Sequence, residues 1–159
     1  MTRAKLRVVQ GLGADQPLPG GLWAYVRGGD AGTMLTTPVV YSVIVPFALL
    51  DVWVVAYQAI CFRAWGINRV HRRDYFAIDR HRLAYLNALE KLNCVFCSYA
   101  NGVVAYVAEV AARTEQYWCP IKHGRRVRGR HGRDHAFTPY GDGAAYRRQL
   151  PLLRAALKR

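Results

Sequence analysis

"PVVYSVIVPFALLDVWVVAYQAICF", residues 38–62, decides how the chain is read. These 25 residues carry one charge, Asp51. Wound as a helix they reach about 37 Å, more than the ~30 Å hydrocarbon core of a bilayer. Tyr41 and Trp65 lie near the two ends, where interfacial aromatics belong. Two features oppose a plain span. Asp51 sits near the middle, at a cost of about 2.5–3.5 kcal/mol on insertion scales. Pro46 lacks the N–H of a helical rung, and the β-branched run before it is a weak helix former. The segment predicts a hydrophobic anchor over residues 36–66, a transmembrane helix in the leading reading. An interfacial, re-entrant or buried core helix is the alternative. Within lipid, Asp51 would pair with an arginine of a partner subunit or carry protons; otherwise it marks a polar break.

Charge is distributed unevenly around this segment. The chain of 159 residues has a net charge of +13, and 19 of its 23 Lys and Arg residues lie from Arg63 onward. Arg63, Arg69, Arg72 and Arg73 follow the apolar run closely, whereas Arg27 alone precedes it at short range. The positive-inside rule then places the C-terminal side in the cytoplasm. Upstream, residues 1–35 are rich in Gly and Pro and read as a loosely ordered lead. They contain no apolar stretch of the kind a secretory signal needs.

Downstream, "RDYFAIDRHRLAYLNALEKLN" repeats leucine at 83, 86, 89 and 92 and predicts a helix over 76–93. "SYANGVVAYVAEVAARTEQYW" predicts a second helix over 99–117. Cys94 and Cys97 fall between them, so residues 67–123 are expected to form an antiparallel helical hairpin with a Cys-x-x-Cys turn. Residues 124–159 read as a basic loop followed by an amphipathic helix, capped by Asp142 and kinked or restarted at Pro151. Leu150, Leu153 and Leu157 share its apolar face. The expected fold is all-α: one membrane-associated helix, a hairpin and a basic C-terminal helix.

The cysteines offer three chemistries. Cys94, Cys97, Cys119 and His123 form a donor set suited to tetrahedral zinc, or to iron in a redox site. A straight helix over 99–117 is about 28 Å long and would hold the two halves of that set apart. A shared ion therefore needs a broken helix, a folded-back loop or two chains meeting in a homo-oligomer. Cys94 and Cys97 alone suit a redox pair, favoured if they lead into a helix N-terminus. As apolar fillers in a core they need no further role. No phosphate-binding glycine loop, nucleophile elbow or Glu-x-x-His pair is present, so the sequence leans away from an enzyme.

Lys122, Arg125, Arg126, Arg128, Arg130 and Arg133 make the loop after Pro120 strongly basic. Beside a membrane anchor their simplest partner is anionic lipid, or an acidic subunit of a membrane complex. A nucleic-acid interface is disfavoured, because aromatic residues for base stacking are not interleaved with these charges. The phrases "VPFALLDVWVVAYQAICF", "DYFAIDRHRLAYLNALEKLNC", "CSYANG" and "RTEQYWCPIKH" together resemble a family of short bacterial proteins without an established activity. That resemblance covers about half the chain. It implies a bacterial, membrane-associated protein and assigns no catalytic residue. The expected role is that of a small membrane-associated accessory or binding protein. The alternatives are a thiol-dependent redox or metal enzyme and a soluble nucleic-acid binder.

Overall fold

A computed structural model describes residue 27 and residues 30–158 of the chain. The expected lead over 1–35 falls mostly outside them, and from Ala31 the chain is helical. The described residues are all-α; their only extended pairing is an isolated bridge between Ile121 and Thr138.

The apolar run forms one long bent helix. Its parts are α1 (Ala31–Ser42), α2 (Ile44–Tyr57), a π-turn (Gln58–Phe62) and α3 (Arg63–Trp65). Asp30 caps it by accepting a hydrogen bond from the Gly32 N–H. Pro46 does not end it. The interruption falls at Val43, so Pro46 stands in the first turn of α2, where a missing N–H leaves no rung unmade. The π-turn rotates the following residues so that Gln58 and Phe62 are both buried. Gly66, at φ +68°, then closes the helix in the left-handed conformation that glycine adopts without strain.

The expected hairpin at Cys94 and Cys97 is not formed. Residues 88–118 make a single 31-residue helix, α4 (Ala88–Trp118), which runs straight through both cysteines. Its start is fixed by a capping box: the Asn87 side chain accepts from the Leu89 and Glu90 N–H groups, and Glu90 accepts from the Asn87 N–H. That box overrides the leucine spacing upstream. Residues 66–87 contain only short 3-10 turns at Arg72–Tyr75 and Arg80–Arg82.

The long bent helix and α4 run in the same direction. Tyr41 meets Asn93 and Phe96, and Asp51 meets Tyr99. Further along, Gln58 meets Tyr106, Tyr57 meets Thr114, and Trp65 stacks on Tyr117. Parallel neighbours need a return path, and residues 66–87 supply it. Arg72 reaches back to Asp51, and Phe76 packs on Tyr99 and over Gly102. A Cβ at position 102 would lie 2.7 Å from the Phe76 ring, so only glycine lets the strap approach α4 this closely. The core cluster forms where the three segments meet, around Val54, Phe62, Ile67, Val70, Tyr106, Val110 and Leu157.

The C-terminal part closes on the far end of α4. Thr138 donates its backbone N–H and its hydroxyl to the Pro120 carbonyl, pinching off the basic loop. Helix α5 (Gly143–Ala155) begins at Asp142, whose carboxylate accepts from the Ala145 N–H as expected, and it contains Pro151. It docks through one bond in each direction: the Gln116 side chain donates to the Leu153 carbonyl, and the Arg154 side chain donates to the Tyr117 carbonyl. Leu157 is buried in the core, the anchoring role its place on the leucine face implies.

Two helices are long and apolar enough to cross a membrane by length and composition, Ala31–Trp65 and Ala88–Trp118. They differ in what they leave exposed. Along the first, Leu35, Val45, Leu49, Val52, Trp53 and Ile60 all point outward, with Leu35 81% and Trp53 76% exposed.

Candidate functional site

Asp51 is the one charge between Ala31 and Phe62 of the long apolar helix, and it is turned inward, only 6% exposed. Arg72 from the return strap meets it in a two-pronged contact: Nε donates at 2.9 Å to one carboxylate oxygen, and a terminal nitrogen donates at 2.6 Å to the other. The Tyr99 hydroxyl of α4 donates to the same carboxylate at 3.1 Å. Phe76 lies beneath the guanidinium, 3.9 Å from ring centroid to the Arg72 carbon. Three segments thus converge on one carboxylate. The partner that the lone aspartate calls for is intramolecular, 21 residues on.

Two helical turns along, Gln58 repeats the arrangement with neutral groups. Its carbonyl accepts from the Val70 N–H at 2.6 Å, and its amide donates to the Val70 carbonyl and to the Tyr106 hydroxyl. The side chain behaves as a piece of β-ladder, satisfying a strap residue that has no secondary structure. Beside this network lies a cavity of about 330 Å³, walled by Val55 and Tyr106 and rimmed by Arg69, His71 and Arg72. The cavity is open, and of its lining side chains Arg72 is already engaged by Asp51.

A second polar cluster joins α4 to the basic loop. Arg113 and Arg133 both donate to the Glu109 carboxylate, at 2.8 and 2.6 Å, and Arg133 also donates to Gln116. Burial opposes ionisation of Glu109, but the two guanidinium groups outweigh it and hold the carboxyl below its ordinary range. His131 contacts Glu115 at 2.8 Å, and Arg130 pairs with Asp134 at 3.1 Å. Between this loop and Ala108, Ala111 and Ala112 lies a cavity of about 270 Å³.

The expected metal set is not brought together. Cys94 and Cys119 lie 25 positions apart on one continuous helix and its C-cap, about 37 Å along the axis. A zinc–thiolate bond is about 2.3 Å, so Cys94 and Cys97 cannot share an ion with Cys119 and His123 of the same chain. Among the described residues no group of three or more His, Cys, Asp or Glu is placed to hold a metal. All four cysteines are free thiols. Cys94 is the seventh residue after the Asn87 cap, beyond the first turn where unpaired N–H groups favour a thiolate. The two cysteines share a helix face, Cys97 exposed and Cys94 half-buried.

The six basic loop residues divide. Arg133 is spent on Glu109 and Gln116, and Arg130 on Asp134; Arg133 is thus a structural clamp rather than an anion contact. Lys122 is half-buried at the bridge, while Arg125, Arg126 and Arg128 are exposed. Sequence reasoning missed Arg72, Tyr99, Gln58, Tyr106 and Glu109. Arg72 was visible only as one more positive charge following the apolar run. No family model, no curated protein and no solved structure matches the chain.

Proposed function

We propose that this is a small membrane-associated binding or accessory protein, held at a bilayer by the helix Ala31–Trp65. One observation carries the reading: from Ala31 to Ile60 the exposed residues of the helix are apolar except for Thr33, Thr36 and Ser42, while the one charge in that stretch, Asp51, is turned inward and neutralised by Arg72. Exposed apolar patches of this extent mark interaction surfaces, and one this long and smooth suits lipid. The cost of an aspartate in an apolar helix, which argues against membrane residence, is met inside the fold. Arg125, Arg126 and Arg128, with the net charge of +13, supply attraction to anionic headgroups. The proposed location is the bacterial inner membrane, with the C-terminal part on the cytoplasmic side. Exposed, reduced cysteines at 97 and 119 agree with that side.

The role is one of binding: the folded part presents Arg69 beside its cavity and the exposed loop arginines to an anionic headgroup or an acidic subunit. Fractionation tests the reading. The expressed full chain should sediment with membranes, remain there through a high-salt wash and be released by detergent. Recovery in the soluble fraction without detergent overturns it.

A further inference from the structure

We propose that the helix Ala31–Trp65 lies along the surface of an anionic bilayer rather than crossing it. The inference rests on the membrane-associated reading and names how that same face is used.

The first argument is direction. The long helix and α4 run in parallel, so a chain that spanned twice would have to bring its link back through the full bilayer. That link, residues 66–87, carries Arg69, Arg72, Arg73, Asp74, Asp79, Arg80 and Arg82. It does not loop outside the helices; it packs alongside them, Arg72 on Asp51 and Phe76 on Gly102. The second argument concerns the long helix alone. A span in lipid is surrounded by apolar groups over about 20 residues. Here α4 accompanies the helix from Tyr41 to Trp65 and brings charge alongside it. Tyr41 stands level with Asn93, one turn from Lys91 and Glu90. Asp51 stands level with Tyr99 and Arg72, and Tyr57 with Thr114, next to Arg113.

The third argument is shape. From Asp51 onward the helix is one-sided: Asp51, Val54, Gln58 and Phe62 are buried, and Val52, Trp53, Ala56 and Ile60 are exposed. The outward face runs for about 43 Å, more than the ~30 Å core, a mismatch that vanishes when the axis lies in the plane. Charge complementarity selects the occupant. Arg63 continues the exposed face at its end. Arg69 lines the cavity that has Val55 as its wall, one turn from Val52, so a cationic group borders the apolar face where headgroups would lie. Trp53, central and exposed, is the interfacial aromatic.

Polarised infrared spectroscopy of the wild-type full chain on oriented bilayers tests this directly. The bilayers should contain phosphatidylglycerol, with neutral phosphatidylcholine as the comparison. Because both long helices share one direction, their amide dichroism adds. We expect axes close to the membrane plane and at least tenfold tighter binding to the anionic bilayer. Dichroism along the membrane normal, or equal binding to both lipids, overturns the proposal while leaving membrane association intact. A chain that binds neither lipid and self-associates overturns both readings. Labelling with an impermeant maleimide in sealed vesicles gives a second measure: a Gly32→Cys variant and the native Cys119 should react from the same side, and reaction from opposite sides contradicts the in-plane arrangement.

Discussion

Replacing Arg72 with methionine strands the Asp51 carboxylate inside the protein. Asp51 is 6% exposed, and without Arg72 its remaining partner at this site is the Tyr99 hydroxyl at 3.1 Å. Removing one member of a buried pair costs about 3–5 kcal/mol, because the charge left behind is uncompensated. The opposite change, Asp51→Asn, has a different cost. The Arg72 side chain is 42% exposed and already lies over Phe76, so it keeps water and the ring when the carboxylate is removed. That loss is nearer one charged hydrogen bond, about 1.5 kcal/mol. The expected gap is therefore about 2 kcal/mol, or roughly 4–8 °C in Tm for a chain of this size. The assay is thermal unfolding followed by circular dichroism, with all variants in the same lipid or detergent. Arg72→Met must fall well below Asp51→Asn, and the double variant must recover part of the loss. Equal destabilisation by the two single changes, or the reverse order, would refute the claim that Asp51 is the desolvated partner.

Other consequences are open to simpler checks. Gly102→Ala should destabilise by about 1–2 kcal/mol in denaturant titration, although alanine ordinarily favours a helix by about 1 kcal/mol, because its Cβ meets the Phe76 ring. The Glu109 carboxyl is held below its ordinary value of 4.5, so the unfolded chain binds more protons; its contribution is fully present above that range and is lost as the pH falls through it. Glu109→Gln should accordingly be less stable than wild type near neutrality and should flatten the acid limb of the stability profile, which unfolding at a series of pH values reads. Elemental analysis of the monomeric chain should find no stoichiometric zinc or iron that is lost on Cys94→Ser, since about 37 Å of helix separates the two halves of the donor set. An ion at one per chain that needs both Cys94 and Cys119 would require two chains to share it.

The all-α class was legible because the apolar run from Pro38 to Phe62 has no turn residue strong enough to end it. Pro46 was weighed as a breaker, yet a proline in a first turn costs little, and only the break at Val43 reveals that position. The cysteine turn was misjudged for a different reason. The leucines at 83 and 86 extend a helical spacing upstream of Asn87, while the true start is written in Asn87 and Glu90 as a capping box. Gly102, inside the helix expected over 99–117, serves the approach of Phe76 and leaves the helix unbroken. Asp51 stood out from sequence because one charge in an apolar run is conspicuous. Its partner did not, since nothing local separates Arg72 from Arg69 or Arg73; only the parallel packing of the two long helices brings the strap back past Asp51. Arg133 was counted with the anion-contacting loop charges for the same reason, its Glu109 partner being 24 residues away.

Flotation of the purified full chain through a density gradient with phosphatidylglycerol-containing vesicles tests most directly whether the outward apolar face holds this protein at a membrane. Leu49 is 68% exposed on that face, so Leu49→Glu changes the surface and spares the core cluster. The wild-type chain should rise with the vesicles, and the Leu49→Glu chain, with unchanged helical content, should stay mostly at the bottom of the gradient. A wild-type chain that remains at the bottom, or a variant that floats equally well, would contradict the account.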